Sequence, residues 1–151
     1  MSSLFASILL GLLFIAGSAS AQVLDRAVFE GHVFLQGAGS LPYVLTITYA
    51  PEPGDSDGSI RRISGIVLTL NGRKLSFPRA AFADLRWAHR PWPLFTDGID
   101  PRRARFQIEG GDGEKSYDVD FLVTQEGLVA RELTHPLAKK PEVTIYHPRA
   151  R

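Results

Sequence analysis

The sequence predicts an all-β protein, an antiparallel meander of about eight strands forming a small sandwich or barrel, with one short helix near residues 79–85. Three observations predict it. Short runs of alternating apolar and polar residues recur along the chain. Clusters of Gly, Pro, Asn and Asp separate them. Two of the separations have the composition of tight hairpin turns.

The first run is Arg26 to Leu35, with Phe29, Gly31, Val33 and Leu35 on one face and Val28, Glu30, His32 and Phe34 on the other. Gln36 to Pro42 reads as a Gly/Ser/Pro loop. In the second run, Tyr43 to Ala50, the residues Tyr43, Leu45, Ile47 and Tyr49 alternate with Thr46 and Thr48. Pro51 to Ser59 is a polar loop in which Pro53 ends any strand. Ile60 to Leu70 and Arg73 to Phe77 then flank Asn71-Gly72, the preferred pair for a type I′ turn. That turn sets Leu70 opposite Arg73, Leu68 opposite Leu75 and Ile66 opposite Phe77, which keeps the apolar face continuous. Pro78 stops the strand, and Arg79 to Leu85 suits one or two helical turns with Phe82 and Leu85 on one side.

A second hairpin joins Arg103–Glu109 to Lys115–Thr124 through Gly110-Gly111-Asp112-Gly113. A type II′ turn centred on Gly111-Asp112 pairs Phe106 with Tyr117 and Ala104 with Val119. On the other face it sets Arg105 against Asp118 and Arg103 against Asp120. This pairing accounts for a charge asymmetry. Residues 73–105 carry eight Lys/Arg against three Asp/Glu, a net of +5, and residues 106–132 carry seven acids against two bases, a net of −5. Leu128 to Thr134 returns through Gln125-Glu126-Gly127, where a three-residue loop with Gly127 in a bulge competes with a two-residue turn, and the two place Arg131 on opposite faces. Val143 to His147 is a last short strand. Pro136 to Arg151 is rich in Pro and basic residues, and its order stays open.

Composition bounds the rest. The chain has 151 residues, 44% of them apolar, enough for one packed core. There is no Cys, which excludes disulfides, thiolate metal sites, a lipid-modified N-terminal Cys and a Cys nucleophile. The first 21 residues hold no charged side chain; a 13-residue apolar run from Leu4 to Ala16 precedes Ala19-Ser20-Ala21. This pattern fits a secretory signal peptide over residues 1–21, cleaved before Gln22, although its start lacks the usual Lys or Arg. The run is shorter than the roughly 18–20 residues a membrane-spanning helix needs. The organisation expected is therefore 1–21 signal peptide and 22–151 one β-rich domain, secreted or periplasmic, with no stable membrane insertion after cleavage. A net charge of +1 speaks against a nucleic-acid or anionic-membrane binder.

Motifs for chemistry are sparse. Asp55-Ser56-Asp57-Gly58 has part of a calcium loop's pattern, but Pro53 and Ser64 stand where a carboxylate and a Glu are required. A polar turn explains it. His32, His89, His135 and His147 show no metal-ligand spacing; only convergence in space, with Asp97 or Asp100, makes an acid–base or metal site. There is no Gly-x-Ser-x-Gly elbow. Asp118 and Asp120 share a face, and the expected register gives both Arg partners, which favours ion pairs over a glycosidase pair.

Arg86 to Arg102 is the long irregular stretch, with three prolines and both tryptophans. Two readings stand. The rings cover an open end of the sheet, since burying a Trp stabilises by roughly 4–6 kcal/mol. Alternatively the segment is a recognition surface, since Trp and Arg dominate binding hot spots. The expected function is an exported, non-catalytic binding or inhibitory module. Trp87, His89, Arg90 and Trp92 would contact an unknown protein or glycan ligand, without a cofactor and in an undetermined oligomeric state. The alternatives are a carrier of a small apolar ligand in a β-barrel, and a hydrolase using loop His and Asp residues.

Overall fold

The computed structural model describes residues 26–56, 61–86, 88 and 92–148. The expected signal peptide lies outside the described residues. Among the described residues nine strands form two antiparallel sheets, where the sequence suggests about eight. The first sheet holds β1 (Arg26–Leu35), β2 (Gly39–Pro51), β3 (Arg61–Leu70) and β4 (Arg73–Ser76), in that order. The second holds β5 (Phe95–Thr96), β6 (Ala104–Gly110), β7 (Tyr117–Thr124), β8 (Gly127–Thr134) and β9 (Glu142–Ile145), again in chain order. Each sheet is thus a meander, and the two stack face to face as a sandwich. The described strands do not close into a barrel.

Inward residues of both sheets merge into one core. Val33, Leu45, Ile47 and Leu68 come from the first sheet, and Phe106, Ile108, Val119 and Phe121 from the second. Phe77, just past β4, packs edge-on against Phe106 and Phe121 with ring centroids 5.8 and 5.9 Å apart. Phe106 and Phe121 stack at 5.0 Å. Such pairs add about 0.5–1.5 kcal/mol beyond area burial.

The first hairpin folds as its turn chemistry requires. Leu70 pairs with Arg73 and Leu68 with Leu75, and Asn71 and Gly72 take φ of 49° and 77°, the left-handed values of a type I′ turn. The loop expected over Gln36–Pro42 contracts to a three-residue turn, because β2 starts at Gly39, opposite Leu35. The helix expected near 79–85 is a single 3₁₀ turn, Arg79–Ala81, behind Pro78. Phe82 and Leu85 are buried as anticipated.

Two β-bulges rewrite the faces. In β3, Thr48 pairs with Gly65 but Tyr49 with Ile63, so Ser64 is the extra residue. Its hydroxyl donates to Thr48 O at 3.0 Å. The bulge lets Ile63 and Ile66, three residues apart, both point inward. In β8, Thr124 pairs with Gly127 across a two-residue turn, but Val129 is extra before Ala130 meets Leu122. Arg131 therefore lands opposite Phe121, on the inner face.

The second hairpin corrects the sequence reading. The strands meet four residues further on: Gly110 pairs with Tyr117, Phe106 with Phe121 and Ala104 with Val123. The connection is longer than a II′ turn and holds a 3₁₀ turn, Gly113–Lys115. The cause is steric. Gly110 stays in the strand because the Tyr117 ring lies on it, and a Cβ there would come within 2.3 Å of that ring. The pairings Arg105–Asp118 and Arg103–Asp120 are thus replaced; Arg105 faces Leu122 and Glu109 faces Asp118.

Candidate binding edge

The stretch 86–102 contains an irregular edge of the second sheet. Arg86 bridges to Arg62 and Ala88 to Gly110. Trp92 N–H donates to Gln107 O at 2.9 Å. Phe95 and Thr96 then pair with Arg105 and Ala104 as β5. Prolines hide this strand from the eye, since they interrupt both the alternation and the ladder. Pro93 also has no N–H for a further strand, which blunts the edge.

Of the four residues expected to bind, Trp87, His89 and Arg90 lie outside the described residues. Trp92 is described, and it is 55% exposed. Its backbone is fixed on Gln107, and its indole N–H donates to Glu109 Oε1 at 3.2 Å. Leu94, two residues on, is buried in the core. Leu94 thus turns inward while Trp92 faces water, and the covering role expected of Trp87 lies outside the described residues. Phe95 (44%) and Ile99 (83%) are exposed beside it in sequence. Phe34 of β1 is exposed too, and its carbonyl accepts from the Thr96 hydroxyl at 2.6 Å. This bond and Gln36 N–H to Pro101 O at 2.8 Å fasten the edge to the first sheet.

Below the edge lies an ionic network that sequence reasoning missed. The carboxylate of Asp97 is buried and receives Arg105 Nη2 at 3.0 Å and Arg103 Nη2 at 2.9 Å. The Arg103 contact falls outside hydrogen-bond angles and is ionic. Ile99 N–H donates to Asp97 Oδ1 at 3.2 Å. Asp100 accepts from the Arg102 side chain and backbone, both at 3.0 Å, and these bonds hold its pKa below the usual carboxylate value. Among the described residues Asp97 and Asp100 are thus taken up by arginines, and His89 lies outside them. His135 Nδ1 lies 3.3 Å from Ser116 O. Among the described residues no cluster of His, Asp or Glu has the makings of a metal site.

Asp120 lies 3.4 Å from Arg105 through Oδ2. Burial raises its pKa, and the Arg105 charge only partly opposes this. The raised folded-state value means the ionised form opposes folding, and this penalty fades as pH falls through it towards 3.8. The expected outcome is that wild type gains stability relative to Asp120→Asn as pH falls from 7 to 4. Thermal unfolding of both proteins across that range checks it; a flat difference would contradict the burial effect.

A cleft of about 380 Å³ opens at the far end of the second hairpin, lined by Glu52, Asp84, Arg86, Lys115, Tyr117 and His135. Most of its polar groups already have partners. Arg86 Nη2 sits 3.3 Å from Glu52. Arg131 grips Asp84 through both Nη atoms at 2.9 and 2.7 Å. Tyr117 donates its hydroxyl to Arg86 O at 2.9 Å, and burial pushes that phenol well above its ordinary pKa, so it stays a donor. No signal in the sequence pairs Asp84 with Arg131, 47 residues away. Comparison with protein-family models, with curated proteins and with solved structures finds no match.

Proposed function

We propose that the chain is an exported, non-catalytic binding module that engages a protein partner through the edge centred on Trp92 and Phe95. The observation that carries this reading is the state of Trp92. Its backbone and its indole N–H are both held, yet more than half of the residue is in water. A ring already ordered in the free protein loses little conformational entropy on binding. Trp is also the side chain most enriched at binding hot spots. The neighbours Phe95, Ile99 and Phe34 are apolar and exposed, which favours an apolar protein surface over a glycan, whose hydroxyls need polar partners. Trp87, His89 and Arg90 extend the same segment in sequence. Export rests on the charge-free residues 1–21 and their small-residue cleavage pattern.

The test is site-specific photo-cross-linking in cells that make the protein. A photoreactive residue at position 95 is expected to give a defined adduct with another protein. The same residue at position 67, on the outer face of β3, is expected to give none. Trp92→Ala is expected to remove the adduct without changing the thermal unfolding midpoint by more than a few degrees. Equal adducts from both positions, or an adduct indifferent to Trp92→Ala, would rule out this edge.

A further inference from the structure

A second open edge lies across the molecule. Between β4 and the β7–β8 turn runs a groove of about 720 Å³. Phe77, Leu128 and Tyr146 line it with apolar surface, and Arg73, Lys74 and His147 bring basic groups. Glu126 is the one acidic side chain along its described lining.

The backbone of β4 adds the second element. β4 is the last strand of its sheet and, among the described residues, pairs only with β3. Its turn has two residues, so Leu70 and Arg73 exchange hydrogen bonds, and Leu68 and Leu75 do likewise. Alternation then turns the N–H and C=O of Lys74 and Ser76 away from β3. Among the described residues no backbone hydrogen bond from another segment reaches them. Unlike the Trp92 edge, this one carries no proline between Arg73 and Ser76.

We propose that the groove takes an extended acidic peptide segment, which adds to β4 as a fifth strand of the first sheet. Lys74 and Ser76 supply its main-chain hydrogen bonds, the mode by which exposed sheet edges capture peptides. Side chains of an added strand alternate between faces. One set lies on the face of Phe77, where Leu128 and Tyr146 also line the groove and Arg73 stands at the start of β4, and the other set lies on the face of Lys74. The imbalance of Arg73 and Lys74 against Glu126 selects carboxylates. The four-residue length of β4 limits the paired segment to a similar length.

Fluorescence anisotropy of a labelled hexapeptide of alternating Glu and Val, titrated with the full chain, tests this. Saturable binding is expected. Replacing Glu by Lys in the peptide is expected to weaken it at least tenfold. N-methylation at one alternating set of peptide amides is expected to weaken it at least tenfold, and at the other set to leave it unchanged, because only one edge of an added strand pairs. This signature is read on the wild-type protein and needs no variant to fold. Ser76→Pro removes an outward N–H without touching the ladder to β3, and should match the damaging methylation. The proposal is overturned if the peptide does not bind, if the Lys peptide binds equally, or if both methylated peptides behave alike. Self-association of the chain that Ser76→Pro abolishes, without peptide binding, would assign the edge to a second copy instead.

Discussion

Gly111→Ala lowers the stability of the fold by about 3–4 kcal/mol, the sum of a left-handed backbone penalty and a steric overlap. Gly111 has φ of 78°, a conformation a side chain adopts at a cost of roughly 1–2 kcal/mol. A Cβ there would also lie 2.1 Å from Lys115 O and 2.8 Å from Ser116 Cα. These are backbone atoms, held by Lys115 N–H to Asp112 O at 3.0 Å and Ser116 N–H to Gly113 O at 3.1 Å. They have no rotamer by which to yield. Gly113 supplies the control. It too has positive φ, 53°, but open space surrounds its Cβ position, so Gly113→Ala should cost only about 1 kcal/mol. Urea unfolding of the two variants, with m unchanged, measures the difference. Equal losses would mean that backbone conformation alone governs the connection and that the 3₁₀ turn moves freely.

Asp97→Ala costs about 2–3 kcal/mol and frees the segment 97–102. The carboxylate is buried, and its removal leaves Arg103 and Arg105 without their shared counter-charge. Breaking a buried pair typically costs 3–5 kcal/mol. Arg103 and Arg105 keep 28% and 19% of their side-chain surface, so water softens the loss. Asp97→Asn retains one acceptor oxygen for Ile99 N–H and should cost less than Asp97→Ala. Hydrogen exchange at Asp97 N–H, which bonds Arg103 O at 2.8 Å, locates the effect. Faster exchange there with little change at Val119 would show local opening; equal acceleration at both would show that the network supports the whole sandwich.

The proposed edge was only half legible. Its segment stands out in the sequence because it is long, aromatic and rich in proline. Its nature does not. Nothing local shows that Trp92 hydrogen-bonds to Gln107 and Glu109, or that Leu94 turns inward while Trp92 turns out. The Asp97 network joins Arg103, Arg105 and, through Arg105, Asp120, across three strands. The pairing of β5 with β6 brings Asp97 to the two arginines, and the register of β6 against β7 adds Asp120. The sequence reading found charge complementarity between these blocks and assigned it to the wrong partners, for a definable reason. A slide of four residues is even, so it leaves every side chain on its face. Apolar patterning therefore cannot separate the II′ register from the observed one. The difference rests on Gly110 yielding its Cβ space to the Tyr117 ring.

The all-β class, the antiparallel meander, the strand faces of β1, β2, β6 and β7, and the Asn71-Gly72 hairpin follow from sequence alone. They rest on period-two alternation and on turn residues acting over a few positions. Tertiary structure decided the rest. It chose a sandwich over a barrel, made β5 a strand, and set both bulges. At Val129 the bulge turned Arg131 inward to Asp84, where the two loops that the sequence allows left a choice between faces. These outcomes depend on packing between residues far apart in the chain. An extra residue or an even slide costs little in local patterning and is settled only when the two inner faces meet.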